Sequence, residues 1–440
     1  MPRVAGTSLS EVHLGEQEEA QAVELDPDRP FRILLAGDFS GRSWRENPPG
    51  TFTPRRIDRD NFDEVLASMK VTLNLHGVNL AFRELEDFHP DRIYQAPVFR
   101  DLDRHLPAPP PPPAAAARAP GSGSLLDQML DEQQPAPDAP VNVRDAEDLV
   151  SFIKRVSKGH LVPRPDASQQ ERAAQRVALA TELLQGILHH PRVQALEGVW
   201  RAADMLVHGL ESDRELQIYL LDITLPELVS EMGEVQKELR LKGPWALIAG
   251  NYTFAQTELD AQVLRRLAAL GSSLGAPFLA EAQLPGGSID QSWVDLRHSP
   301  DAAWIGLALP RFLLRLPYGK ETSSVESFPF EEMPKSQHSA YLWGNPAVFC
   351  AYLLGKSYLE QGWGMTRLQR RIDGLPMHVY REDGEHVAKP CAEILMTEKD
   401  AETLLEAGFM PVASIKEQPA AMVVRFQSIA EPLAPLAGLR

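Results

Sequence analysis

The residues best suited to chemistry form a short motif in the last quarter of the chain. The stretch "LLGKS", from Leu353 to Ser357, contains the Gly-Lys-Ser of a phosphate-binding loop. Such a loop lies between a strand and a helix and needs another glycine five residues before Gly355, where this chain has Cys350. The motif also lies inside an apolar helical run, so the sequence argues against nucleotide binding at this position.

Histidines and cysteines offer few alternatives. His189 and His190 are adjacent and precede Pro191, whereas two metal ligands on one helix face need i, i+4 spacing. We therefore expect a capping or packing role for them. Cys350 lies in the apolar run "AVFCAYLL" and is predicted to be a core residue, and Cys391 is predicted at a strand start. Neither thiol has a histidine nearby in sequence, although a partner distant in sequence stays open.

Carboxylates are abundant but show no acid/base pattern. The pairs and runs, Glu331-Glu332 and Glu16, Glu18 and Glu19, are interpreted as solvated surface charge. General acid/base pairs need burial in contrasting environments, which these polar runs do not indicate. We therefore predict neither an enzyme nor a bound cofactor or metal, and keep an α/β enzyme only as an alternative of another class.

Composition restricts the possible partners and the compartment. The 440 residues are 43% hydrophobic and 24% charged, which is typical of a globular protein with more than one domain. A formal net charge of -17 disfavours a nucleic-acid partner, because binding to phosphates draws on lysine and arginine. Two cysteines cannot make a disulfide framework, and no apolar run reaches the length of a membrane span or a signal peptide. We expect a cytoplasmic protein without membrane insertion.

A proline-rich stretch divides the chain. "PAPPPPPAAAARAPGSG", residues 107–123, favours a solvated polyproline II rod that ends in flexible Gly-Ser-Gly. We interpret it as a linker. It follows a flexible N-terminal arm (1–26) and a first segment (27–106), and it precedes N-terminal helices (124–171) and a second segment (172–430).

The first segment is predicted to be a small α+β unit. "FRILLAGDFSGR" predicts a buried strand that runs into a turn, and Asp60 is predicted to cap the helix in "DNFDEVLASM". Alternating apolar residues around His76-Gly77 predict a β-hairpin.

The second segment is predicted to be an α/β sandwich. An apolar stripe in "VQALEGVWRAADMLVHGL" predicts a helix, "ELQIYLLDI" a strand, and Thr224 and Thr397 are predicted helix caps. Further strands and helices alternate to the end of "EILMTEKDAETLLEAGFMPV", where "EILM" is predicted to be a strand and Gly408 a helix stop. We expect one apolar core in each segment, with the two cores packed against each other.

Directly after the linker, "SLLDQMLDEQ" predicts a short amphipathic helix. Its apolar face consists of Leu125, Leu126, Met129 and Leu130. Two interpretations are open: the face docks on the second segment, or it is offered to the groove of a partner protein.

These stretches carry a resemblance to a known family. "FRILLAGDFSGR", "IDRDNFDEVLASM" and "FRELEDFHPDRI" resemble the small sheath subunit (TssB, or VipA) of the bacterial type VI secretion system. "ILHHPRVQALEGVWRAADMLV", "LPRFLLRLPYG", "YLWGNPA" and "EILMTEKDAETLLEAGFMPV" resemble the large sheath subunit (TssC, or VipB). The resemblance implies a contractile tail-sheath-like fold and a natural fusion of two subunits that usually form an intertwined pair.

The same resemblance implies partners. These are sister copies or other sheath subunits, an inner tube of Hcp type, a ClpV-like AAA+ unfoldase that grips the helix of Leu125, Leu126, Met129 and Leu130, and baseplate proteins. Relative to the family, the C-terminal region of the large sheath protein is expected to be missing after "VVRFQSIAEP". Two functions follow: a fused protomer of the contractile sheath, or a non-polymerising sheath paralogue that acts as a terminator, baseplate adaptor or regulator.

Overall fold

The structure is a computed structural model that describes residues 29–45, 48, 50–75, 78–102, 169–211, 214–286, 289–382 and 384–439. The strands are β1 (Phe31–Gly37), β2 (Arg55–Ile57), β3 (Val71–Leu75), β4 (Val78–Phe82), β5 (Leu216–Asp222), β6 (Leu247–Phe254), β7 (Phe278–Ala282), β8 (Ile305–Leu309), β9 (Phe312–Leu313), β10 (Trp343–Gly344), β11 (Arg371–Asp373), β12 (His378–Glu382), β13 (Glu385–Lys389), β14 (Met410–Ser414) and β15 (Ala420–Val423). The helices are α1 (Phe62–Ser68), α2 (Pro90–Ile93), α3 (Pro97–Arg100), α4 (Gln169–Leu188), α5 (Pro191–Gly209), α6 (Leu225–Ser230), α7 (Met232–Lys242), α8 (Glu258–Leu274), α9 (Gln291–Arg297), α10 (Pro346–Gln361) and α11 (Glu398–Glu406).

One nine-stranded sheet contains strands from both segments. Its order is β11-β15-β14-β8-β7-β6-β1-β5-β2, and the six strands from β14 to β5 in that order are parallel to their neighbours. Strands β2, β15 and β11 run antiparallel to theirs. Three two-stranded sheets, β3–β4, β9–β10 and β12–β13, lie outside this main sheet.

Helices cover both faces of the main sheet, so its central strands are apolar on both sides. Along β1, Phe31, Ile33 and Leu35 belong to one buried cluster, whereas Leu34 and Ala36 belong to the other. This alternation is the two-residue period of a strand. The predicted α/β sandwich, with helices over a buried sheet, is confirmed.

The two apolar clusters are separated by the sheet, not by the linker. The first cluster joins residues of the first segment to α4, α5 and α10 of the second segment. The second cluster contains one face of β1 together with α6, α7, α8 and α9. The expectation of one core per segment is therefore wrong, because a strand of the first segment is covered on both faces by helices of the second.

Most local predictions hold, with two corrections. Thr224 and Thr397 form capping boxes at α6 and α11, and β3 pairs with β4 as the predicted hairpin. The cap of α1 is Asn61 and not Asp60, because the helix begins one residue later, at Phe62. "EILM" does not form a strand; its chain leads directly into the cap of α11.

Candidate functional site: the joint between the two segments

The joint is the set of contacts that hold the first segment in the second, and strand β1 is its centre. All seven residues of β1 pair with β5, from Phe31 with Leu216 to Gly37 with Asp222, and four of them also pair with β6. Apolar residues on both faces favour this position, since a central parallel strand has no face exposed to water. Removing the first segment would expose the facing edges of β5 and β6.

The turn after β1 is held by a carboxylate of the second segment. Asp222, at the end of β5, accepts hydrogen bonds from the backbone nitrogens of Phe39 (2.9 Å) and Ser40 (3.1 Å) and from the Ser40 hydroxyl (2.6 Å). Burial raises the pKa of Asp222 above its ordinary value, and the hydrogen bonds from Ser40 offset only part of that effect. Asp222 thus supplies the acceptors that the turned backbone needs.

An ion pair continues the joint beyond this turn. The buried guanidinium of Arg42 donates to both carboxylate oxygens of Glu227, at 2.8 and 2.6 Å. Glu227 also closes the capping box of α6 with Thr224. Burial raises the pKa of Glu227, but the hydrogen bonds from Arg42 and Thr224 outweigh it and leave the pKa below its ordinary value. The paired geometry is the strong, bidentate form of an arginine–carboxylate contact.

Trp200 of α5 makes aromatic contacts and a hydrogen bond across the joint. Its ring is fully buried, and its Nε1 donates to the carbonyl oxygen of Phe39 at 2.8 Å. The rings of Phe39 and Phe62 meet the indole edge to face, with centroids 5.4 and 5.8 Å away. Packing and a satisfied donor therefore coincide at one side chain, which is the arrangement that makes buried tryptophan stabilising.

Further along the first segment, two more side chains clamp it to the second segment through hydrogen bonds to backbone atoms. The carboxylate of Asp91 accepts from the backbone nitrogens of Glu326 (3.0 Å) and Ser327 (2.8 Å). Burial raises the pKa of Asp91, but these hydrogen bonds and the neighbouring His89 lower it overall. The guanidinium of Arg59 donates to the carbonyl oxygen of His208 at 2.6 Å. The two segments are thus linked by backbone pairing, side-chain clamps and a shared core.

A buried ionic cluster stiffens the loop that receives the first segment. Arg315 donates to Glu197 (2.7 Å) and to Glu332 (2.7 Å), and the backbone nitrogen of Tyr318 donates to Glu332 (2.7 Å). Burial raises the pKa of Glu332, but the charge of Arg315, the nearby His189 imidazole and the hydrogen bonds from Arg315 and the Tyr318 nitrogen lower it to about 2. The prediction that Glu331-Glu332 is solvated is wrong for Glu332, because its partners lie elsewhere in the chain.

The negative charge of Glu281 is poorly compensated, because its nearest cation is not in hydrogen-bond contact. Glu281, at the end of β7, accepts from the Thr253 hydroxyl at 3.0 Å and lies 3.8 Å from Arg311. Arg311 makes its close bonds to Glu393 instead, at 2.8 and 2.6 Å. Burial therefore raises the pKa of Glu281 to about 7, and the neighbouring negative charge of Glu393 adds to the effect.

The residues of the phosphate-loop-like motif have a packing role. Gly355 lies inside α10, where an added Cβ would come 2.7 Å from Leu210 and 3.2 Å from Ile33 of β1. The glycine thus lets α10 approach the joint closely. Cys350 is fully buried in the same helix, and burial raises the pKa of its thiol.

The other chemical candidates are also structural. Cys391 is buried as a packing residue, but its predicted place at a strand start is wrong, because β13 ends at Lys389 and Cys391 lies in the bend that follows. Burial raises the pKa of its thiol. His190 caps α5 by accepting from the backbone nitrogen of Arg192, as predicted. His189 lies 3.4 Å from a carboxylate oxygen of Glu332.

Some predictions fall on residues that the structure leaves out. Leu125, Leu126, Met129 and Leu130, the proposed partner-binding face, lie outside the described residues, as do the N-terminal arm and the linker. In the part of the chain that the structure does describe, no group of three or more metal-ligating side chains comes together. No helix there has the length and apolar character of a membrane span.

Comparison with known proteins matches the two segments separately. Residues 11–102 match the family described as Type VI secretion system, VipA, VC_A0107 or Hcp2. Residues 174–285 and 288–430, more than half of the chain, match VipB, the EvpB/VC_A0108 tail sheath N-terminal domain. The type VI secretion system sheath protein TssC1 of Pseudomonas aeruginosa (strain PAO1) is 31% identical over 290 residues, which are 56% of this chain and 58% of that protein. The chain thus spans less than two thirds of that relative.

Substituting Trp200 tests the hydrogen bond at the joint. We expect Trp200→Phe to lower the free energy of unfolding by about 1–3 kcal/mol, because the ring stays buried while the Phe39 carbonyl loses its donor. Urea denaturation of the full chain measures this. Trp343→Phe is the matched control, since the Trp343 indole donates to the His338 carbonyl in an exposed contact where water can substitute. Equal losses in the two variants would contradict the assigned role of Trp200.

Glu281 makes stability depend on pH. The folded chain keeps the Glu281 proton up to about pH 7, whereas the unfolded chain releases it near the ordinary value of 4.5. Between these values the folded state binds more protons, so this group makes the free energy of unfolding fall as pH rises. Glu281→Gln is expected to flatten that dependence and to be about 1–3 kcal/mol more stable than the parent at pH 8, measured by denaturation across pH 5–8.

Glu332→Gln is the contrasting variant for this experiment. The pKa of Glu332 is lowered, so its contribution to stability is present above pH 4.5 and is lost as pH falls toward 2. Its removal leaves Arg315 with one carboxylate fewer and is expected to cost about 3–5 kcal/mol at neutral pH. If both variants changed stability in the same direction at pH 8, the opposite environments assigned to these carboxylates would be refuted.

Proposed function

The chain belongs to the type VI secretion tail sheath family, and from this premise we propose that it is a sheath protomer in which one polypeptide supplies both the small and the large subunit. The observation that carries this proposal is the position of β1, in the VipA-matching part, between β5 and β6 of the VipB-matching part. A strand that is hydrogen-bonded along both edges in the middle of a sheet joins two parts of a chain more firmly than a contact between their surfaces does.

The division of the chain follows from the same proposal. Residues 27–106 act as the small-subunit unit and 172–430 as the large-subunit unit, with 107–123 as the linker, 124–171 as N-terminal helices and 1–26 as a flexible arm. A covalent linker raises the effective concentration of one unit near the other to the millimolar range and fixes a one-to-one ratio. Covalent fusion suits an assembly that needs both units in every repeat.

The proposed role is structural and not enzymatic. Protomers that contact each other through different surfaces, without closing a ring, build a helical filament. We propose that this chain assembles with sister copies or other sheath subunits in the bacterial cytoplasm, around an inner tube of Hcp type, and that the filament meets baseplate proteins at one end. In the described part of the main sheet, the edge strands β2 and β11 are three residues long and carry arginines, which discourages unspecific pairing.

Co-expression tests the sheath proposal. The full chain is produced with an Hcp-type tube protein from the same genome, and the particles are examined by negative-stain electron microscopy. We expect tubules or stacked rings that enclose the tube protein. A monodisperse small oligomer that still binds full-length sheath subunits would favour the non-polymerising paralogue instead. Absence of binding to both tube and sheath subunits would reject a sheath function.

The helix after the linker is proposed as the handle for a ClpV-like unfoldase. The support is its apolar face, Leu125, Leu126, Met129 and Leu130, at the spacing of groove-binding helices. Changing these four residues to aspartate is expected to weaken binding of a ClpV-like unfoldase at least about tenfold, because the anchors of such helices carry most of the affinity. Binding is measured by fluorescence anisotropy. Asp127→Ala, Gln128→Ala and Asp131→Ala together form the control on the polar face, and equal loss in both sets would argue against this groove-binding mode.

A further inference from the structure

A polar cavity lies beside the joint, at the outer side of β2. Its volume is about 230 Å³, and its wall is formed by the 3-10 turn after β1, by β2 with the residues before it, and by the end of α1. The side chains relevant here are Arg45, Thr51, Thr53, Arg55, Ser68 and Lys70. We propose that this cavity is a binding site for a small oxyanion of the phosphate type.

Charge is the first reason. Arg45, Arg55 and Lys70 make no ion pair with any residue that the structure describes. On the cavity floor, the charges of Arg42 and Asp222 are already matched: Arg42 binds Glu227, and Asp222 accepts from the nitrogens of the 39–40 turn. The cavity therefore concentrates positive charge on a chain whose net charge is -17.

Fixed donor positions are the second reason. The Arg45 guanidinium donates through Nη2 to the carbonyl oxygens of Met69 (3.0 Å) and Lys70 (2.6 Å), and Arg55 donates through Nη1 to the Ser68 hydroxyl (2.9 Å). Each guanidinium has five N–H donors in a rigid fork, so these bonds orient the group while other donors stay available. Two oriented forks and a lysine match the several acceptor oxygens of a phosphate.

Size and lining define the ligand class. Cavities that enclose drug-sized organic ligands hold about 300–1,000 Å³ and are mostly apolar. This cavity is smaller and is lined by the hydroxyls of Thr51, Thr53 and Ser68 together with cations. A free phosphate, or the phosphate end of a larger molecule, fits this chemistry, whereas an apolar ligand does not.

Lys70 supplies a variant that tests the site without damaging the fold. Its φ of 51° lies in the left-handed region that glycine tolerates and other residues rarely adopt. Lys70→Gly therefore removes one cation of the cavity while relieving backbone strain. Arg56 supplies the matched control, because it is the next residue on β2, lies outside the cavity wall and is 3.8 Å from Asp58.

Calorimetric titration of the full chain with inorganic phosphate, at constant ionic strength with chloride as the background anion, tests the proposal. We expect saturable binding to the parent protein, weakened about tenfold or more by Arg55→Gln and by Lys70→Gly, and unchanged by Arg56→Gln; a tenfold loss corresponds to about 1.4 kcal/mol. Glycerol phosphate, titrated separately, distinguishes a free ion from an ester, and saturable binding of either supports the site. The proposal is overturned if neither binds saturably, or if Arg56→Gln weakens binding as much as Arg55→Gln.

Discussion

Strand β1 of the first segment lies hydrogen-bonded between β5 and β6 of the second, and the remaining contacts between the segments depend on this pairing. The pairing places the turn after β1 beside the end of β5, where Asp222 accepts hydrogen bonds from the backbone nitrogens of Phe39 and Ser40. It also sets Phe39 under the indole of Trp200. Without β1 the main sheet would have a gap at its centre, and both apolar clusters, one on each face of the sheet, would lose residues of this strand.

Charge is distributed around this core in two ways. At the joint and in the loop that receives the first segment, carboxylates are matched by arginines and backbone nitrogens, as for Glu227 and Glu332. At the end of β7, Glu281 is largely shielded from water while its nearest cation, Arg311, is bonded to Glu393. Removing one partner of a matched buried pair leaves an uncompensated charge and is costly, so the first arrangement makes the joint sensitive to substitution, whereas neutralising Glu281 relieves a charge that opposes folding.

Sequence patterns predicted the elements better than their partners. The strand at Phe31–Gly37, the caps at Thr224 and Thr397 and the β3–β4 hairpin depend on local spacing and were found. Strand β5 lies 185 residues beyond β1 in sequence (Phe31 to Leu216) and β6 lies 214 residues beyond it (Ile33 to Leu247), and no local pattern specifies either partner. A signal was present, however: β1 is apolar on both faces, which is typical of a central strand of a parallel sheet. In the described part of the first segment, the other strands are β2, β3 and β4, and none of them pairs with β1. Glu332 was misjudged for the same reason, since its charge is matched by Arg315, which lies 17 residues away in sequence.

The same pairing determines what a linker can contribute. Force applied to one segment of a folded protomer passes to the other through the hydrogen bonds of β1 with β5 and β6 and through the clamps of Asp222, Arg42 and Asp91. These contacts connect the segments directly, so load can pass between them without residues 107–123. Under the proposed function, the covalent link between the segments serves assembly: two units on one chain need not find each other from dilute solution and are always present in equal amounts. Mechanical coupling and stoichiometry are thus separate physical problems, and the sheet answers the first while the linker answers the second.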